Sequence, residues 1–179
     1  EFNTAFRFVP IDKRRTVSKP RKSGITMVSD YQLGLASLSD LIEVAGHYID
    51  LFKIATGTSR LFGKTHLQAK IEMLRANDIR PFLGGQFQEY VIHTMGIDAM
   101  PRHLSEAQAL GFDIIEISDN MIQIGQGLRQ RLFDMVRDQG MSPVGEIGDK
   151  RESSSIRSII DEVNEVLEIG AEFALIEAA

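Results

Sequence analysis

Cysteine is absent from all 179 residues, which excludes disulfides and thiolate-bound zinc. No apolar run is long enough to span a bilayer, and nothing resembles a signal peptide, so a cytoplasmic protein without a membrane partner is the default expectation. Two short patterns fall short of the sites they suggest. His93 and His103 flank MGIDAMPR at a spacing that fits no common zinc site and lack a third ligand, so both read as surface or helix-packing residues. Gly125-Gln126-Gly127 lacks the third glycine, and the strand just before it, of a dinucleotide-binding turn. Hairpin signals between apolar runs are missing as well, which argues against an antiparallel sheet.

What remains is the make-up of an ordinary folded domain, with 43% hydrophobic and 25% charged residues and length enough for one sizeable core. Its charge is uneven. Residues 1–22 carry seven Lys and Arg against Glu1 and Asp12, a net +5, so the total of -5 puts the remainder at -10. A body this acidic is unsuited to general nucleic-acid binding, and the basic arm, residues 1–23, reads as a solvated leader preceding a domain over 24–179. Its AFRFVPI segment, with Phe6, Phe8, Val9 and Ile11, is the one part able to form an extra strand or strap.

From Gly24 onward short apolar runs alternate with helical periodicity. Strands are expected at 25–29, 48–54, 80–83, 113–118, 143–147 and 173–177. Helices are expected near 38–47, 64–76, from 88, 104–110, 128–138 and 155–168. The segment 129–137 reads as a solvated helix face. Six βα units of this kind predict a parallel sheet with right-handed crossovers. The fold class is therefore α/β, of the (β/α)8 TIM-barrel type, with about six units present where a whole barrel has eight. A sheet of six leaves open edges, so either the chain is a fragment or a homo-oligomer covers them. Left alone, this species is expected to be oligomeric and inactive.

Each strand delivers polar residues to its C-terminal end, where such folds keep their chemistry. GITMVSD brings Asp30, and DLFKIATGTS brings Lys53 and the Gly57-Thr58-Ser59 turn. RPFLGGQ brings Gly84 and Gly85, GFDIIEISDN brings Glu116 and Ser118, SPVGEIGDK brings Glu146 and Lys150, and EFALIEAA brings Glu177. Alternation puts Leu51 and Lys53 on one strand face, and a lysine facing a sheet core is costly unless it meets an anion. The glycine turns stand where backbone amides can cradle phosphate. Glu116, Glu146 and Glu177 offer hard oxygens suited to Mg2+, or else pair with Lys53 or Lys150.

With these segments laid out, the sequence resembles the phosphosulfolactate synthase family, whose members add sulfite to phosphoenolpyruvate at the start of coenzyme M synthesis. GITMVSD, HYIDLFKIATGTS, FLGGQFQEY, LGFDIIEISDN, GEIGDK and GAEFALIEA carry the likeness, in order, from Gly24 to Glu177. The resemblance implies a (β/α)8 barrel, Mg2+ and a lysine acid that protonates an enolate-like intermediate. By position that lysine is Lys150, with Lys53, Glu116 and Glu146 supporting it. The family pattern is broken at Asp30-Tyr31-Gln32 for Asp-Lys-Gly, Ala55-Thr56-Gly57 for Gly-Trp-Gly, Asp149-Lys150 for paired lysines, and Glu177-Ala178-Ala179 for Glu-Ala-Arg. Three cationic positions are thereby lost. Plant heat-stress-associated proteins of the same family offer the alternative of a non-catalytic, oligomeric binding barrel.

Overall fold

The computed structural model describes residues 5–10, 12, 14, 16, 18–148 and 155–177. Among the described residues six strands and six α-helices follow one another, with two helices between the third and fourth strands: β1 (Met27–Asp30), α1 (Leu35–Ala45), β2 (Leu51–Ile54), α2 (Lys64–Arg75), β3 (Arg80–Leu83), α3 (Gly85–Met95), α4 (Met100–Leu110), β4 (Ile114–Ile117), α5 (Gln126–Asp138), β5 (Ser142–Ile147), α6 (Ile156–Glu168) and β6 (Ala174–Ile176). All five strand pairings are parallel, in the order β1-β2-β3-β4-β5-β6. That unpermuted order belongs to a barrel wall, since a doubly wound sheet reverses direction at a switch point.

Side-chain alternation divides the wall into two apolar layers. Phe52, Ile54, Leu83, Ile115, Ile117 and Ile147 face outward and pack with helix residues such as Leu38, Leu67, Leu74, Leu104 and Phe133. Leu51, Phe82, Ile114 and Val144 face inward with Met27, Phe173 and Leu175. Side chains stand nearly perpendicular to a flat sheet, so inner-face contacts that skip two strands require a concave wall. Two such contacts run from β3 to the β6 segment. The Phe82 and Phe173 rings meet edge to face with centroids 6.4 Å apart, and Arg80 grips Glu172 through two hydrogen bonds of 2.5 and 2.9 Å.

Local sequence explains the helix ends. Pro101 sits in the first turn of α4, which closes on Gly111 at φ 98°, a left-handed cap that favours glycine. The Ser155 hydroxyl accepts the Ser158 N–H at the start of α6. Arg129, on the helix face read as solvated, is instead mostly buried: it pairs with Asp119 and lies 3.5 Å from Glu165, tying the β4–α5 loop to α6. The arm ends in anchored residues. Lys19 Nζ donates to the carbonyls of Gly46, Asn77 and Asp78, and Arg21 is buried against Asp50 at 2.8 Å. Residues 5–9 form a turn with Phe6 and Phe8 exposed, and Ile11 lies outside the described residues.

Candidate active site

The inward positions one step beyond the apolar layer are polar. β2, β4 and β5 deliver Lys53, Glu116 and Glu146 there, and Glu177 follows β6. Lys53 Nζ lies 2.6 Å from Glu116 Oε1 and 3.7 Å from Glu146 Oε1. The second Glu116 oxygen accepts the Gly85 N–H. Glu146 shares a hydrogen bond with Glu177, and the Asn120 carboxamide donates to both, at 2.8 and 3.4 Å. Lys53, Glu116, Glu146 and Glu177, with Tyr31, Thr56 and Gln86, line a cavity of about 40 Å3 at the C-terminal rim of the wall.

Among the described residues three carboxylates here face one ammonium. Burial is the main reason the Glu146 carboxyl is pushed up to about 7, with the charge of Glu116 and the bond to Glu177 adding to it and Lys53 opposing. Burial also raises Glu116, against the pull of Lys53 and the Gly85 amide. The cluster can therefore hold a proton near neutrality, or exchange it for a cation.

The other anticipated residues sit differently. Asp30 pairs in register with Ile54, not Lys53, so it points outward among the helices. There it meets Lys70 of α2 in a fully buried ion pair and accepts the Gln32 and Leu33 amides, while Lys70 also donates to the Leu33 carbonyl. The structure does not bring Asp30 to the rim. Gly84 and Gly85 allow close approach: a Cβ on Gly85 would stand 2.5 Å from the Ser118 hydroxyl, and the Gly85 amide is already taken by Glu116. Thr58 and Ser59 are buried behind the rim, with the Thr58 hydroxyl on the Ala55 carbonyl, and Gly57 (φ 73°) packs on Phe87. Ser118 is buried with its hydroxyl on Glu89. Lys150 lies outside the described residues.

Lys70, Glu89 and Asn120 were not singled out in the sequence. Glu89 of α3, fully buried, accepts the Ser118 hydroxyl and the Met121 and Ile122 amides, and so fixes the loop that carries Asn120. Both helix residues were visible as charges inside apolar stripes, Lys70 among Leu67, Ile71 and Leu74, and Glu89 one turn before Ile92. Asn120 carried no such signal.

In kind, the rim carboxylates and the Asn120 carboxamide suit Mg2+, a hard cation that takes oxygen ligands. In their present arrangement Glu116 is committed to Lys53 and Gly85, and no group of three acidic or imidazole side chains among the described residues is set to hold an ion. Glu146 and Glu177, whose carboxyls already meet, are the part of the set closest to a binding pair.

The (2R)-phospho-3-sulfolactate synthase family profile matches residues 14–179. The chain belongs to the phosphosulfolactate synthase family. It is 36% identical over 164 residues to the phosphosulfolactate synthase of Methanothermobacter thermautotrophicus, a match covering 89% of this chain and 62% of that relative, so the chain spans under two thirds of its length. It is 25% identical over 126 residues, 69% of this chain and 43% of the other, to the Arabidopsis thaliana protein HEAT-STRESS-ASSOCIATED 32. Among solved structures, the 3-dehydroquinate dehydratase of Aquifex aeolicus superposes with a TM-score of 0.54 at 15% identity, covering 85% of this chain and 65% of that one, which speaks to the fold alone. Among the described residues no helix is long and apolar enough to cross a membrane.

Proposed function

We propose that the protein is a lyase of the phosphosulfolactate synthase type, adding sulfite to phosphoenolpyruvate or to a closely similar small phosphorylated acid. The convergence of Lys53 with Glu116, Glu146 and Glu177 at the C-terminal rim of a barrel wall carries this reading, because that rim is where such barrels place their chemistry. In the reaction the sulfur lone pair forms a C–S bond at the methylene carbon. The alkene electron pair moves toward the carboxylate as an enolate, and a proton is delivered to the carbon bearing the phosphate. Lys150 is the donor that the family likeness implies, and Lys53 stands ready to face the developing negative charge. Glu146 and Glu177 are the pair that would hold Mg2+, which would supply further positive charge there. Each charge-assisted contact to an anion contributes roughly 1.5 to 3 kcal/mol, and among the described residues Lys53 is the lysine that lines the rim cavity.

Phosphorus NMR of phosphoenolpyruvate with sulfite tests the reading. The expected result is a new phosphate ester formed only with Mg2+, and lost in Lys150→Ala and Lys53→Met while circular dichroism stays unchanged. A folded protein of the full length of its curated relatives that makes no product at millimolar substrates overturns it in favour of a non-catalytic binding barrel. We further propose a cytoplasmic setting, where phosphoenolpyruvate is formed, and a homo-oligomer that covers the β1 and β6 edges. Light scattering at the mass of one chain would refute the oligomer.

A further inference from the structure

The rim cavity has two unlike sides. Glu116, Glu146 and Glu177 come from β4, β5 and the end of β6, and each already bonds within the cluster they form with Lys53 and Asn120. Tyr31, Thr56 and Gln86 come from the segments that follow β1, β2 and β3, the adjoining half of the wall. All three are neutral hydrogen-bond donors, and among the described residues none of their side chains has a hydrogen-bond partner. Tyr31 and Thr56 are exposed and Gln86 is half-buried, so each is open to a molecule entering the rim.

Each also follows a residue that is fixed from behind. Asp30, before Tyr31, is clamped by Lys70 and accepts the Gln32 and Leu33 amides, so the chain on both sides of Tyr31 is tied to one carboxylate. Ala55, before Thr56, donates its amide to the Asp30 carbonyl, and its own carbonyl accepts the amide and the hydroxyl of Thr58. Those bonds hold Thr56 at φ 52°, a left-handed conformation unusual for a β-branched residue. Gly85, before Gln86, gives its amide to Glu116. Unpartnered donors on anchored backbone are what a preorganised ligand site requires.

We propose that Tyr31, Thr56 and Gln86 hold the phosphate of the substrate and leave its carboxylate to the side of Lys53, Glu146 and Glu177. This assignment deepens the synthase reading and rests on it. In that reaction negative charge grows on the carboxylate as the enolate forms, so the carboxylate end is the one that needs the ammonium and Mg2+. The phosphate carries its charge throughout and is repelled by free carboxylates, so it belongs on the side that offers donors without negative charge. Its three terminal oxygens are strong acceptors, one for each of the three side chains.

Calorimetric titration of the protein, at the full length of its curated relatives, with phosphoenolpyruvate and separately with oxalate, both with Mg2+, tests the assignment. Tyr31→Phe, Thr56→Ala and Gln86→Leu should each bind phosphoenolpyruvate at least about fivefold more weakly. Oxalate, which has carboxylates and no phosphate, should keep its affinity within about twofold in all three. Thermal melting identifies any variant that fails to fold, and the remaining ones then decide. Phosphoenolpyruvate affinity unchanged in the folded variants, or an equal loss for both ligands, overturns the proposal and leaves the synthase reading standing. No binding of phosphoenolpyruvate by the wild type overturns both.

Discussion

Two lysines reach carboxylates from opposite faces of the same barrel wall, and their surroundings differ in one respect that decides their roles. Outside, Lys70 meets one carboxylate, Asp30, and both are fully buried, with the remaining hydrogen bonds supplied by the Leu33 carbonyl and two backbone amides. Inside, Lys53 meets Glu116 and Glu146 with Glu177 close behind, and its side chain keeps 15% of its surface in solvent. The outer pair is balanced and closed, so nothing further is required of it. Among the described residues the inner group has more carboxylates than cations and an opening, so a proton is held there near neutrality. Pairing alone therefore does not separate structure from chemistry; the charge left over does.

The largest effect expected from breaking this contrast is at the closed pair. Lys70→Met strands Asp30 as an unpaired buried charge and should cost roughly 3 to 5 kcal/mol in chemical denaturation, with much of it restored by adding Asp30→Asn. A loss under about 1 kcal/mol would show that the pair is not the closed unit described. At the open cluster the effect moves from stability to turnover. Lys53→Met should lower the proposed reaction at least about a hundredfold, while the fold loses less than with Lys70→Met because the carboxylates can take up a proton.

Next in size is a pH effect. Glu146 binds its proton more tightly in the folded chain than in the unfolded one, so its contribution is present in full below about 4.5 and is lost as pH rises through about 7. Between those values the native protein should lose on the order of 2 kcal/mol that Glu146→Gln does not lose, and parallel curves for the two proteins would refute the assignment. Smallest is the second-hand contact: Glu89→Gln should cost about 1 to 2 kcal/mol and loosen the 118–122 loop, read as faster amide exchange at Met121 and Ile122. Unchanged exchange there would mean that Glu89 does not hold the loop.

The wall was legible in the sequence because the period of its strands and helices is undiluted. Arg80–Leu83 falls where four residues, bounded by Asp78 and two glycines, said it would, and the other strands lie within three residues of expectation. Lys53, Glu116, Glu146 and Glu177 could be grouped because each lies at or near the C-terminal end of an apolar run, and in the structure all four share the inward parity. Asp30 could not be sorted by that rule: it also ends a run, but on the outward parity, and only pairing with Ile54 reveals this. Glu89 and Lys70 lie on helices, so strand-end position does not mark them, and their one signal is a charge inside an apolar stripe. Asn120 depends on a loop path held by Glu89, which no local spacing encodes.

The bond between Arg80 and Glu172 lies at the opposite end of the strands from the rim, and it fastens β3 to the β6 segment across the hollow. Mechanically it is a tie-rod across an arch. Slackening the tie lets the arch flatten, and because the strands are stiff, splay at the foot becomes separation at the crown, where Glu177 must stay within reach of Glu146 and Asn120. An exposed ion pair that contributes little to folding free energy can thus act as the gauge that sets carboxylate spacing at the far end of the wall.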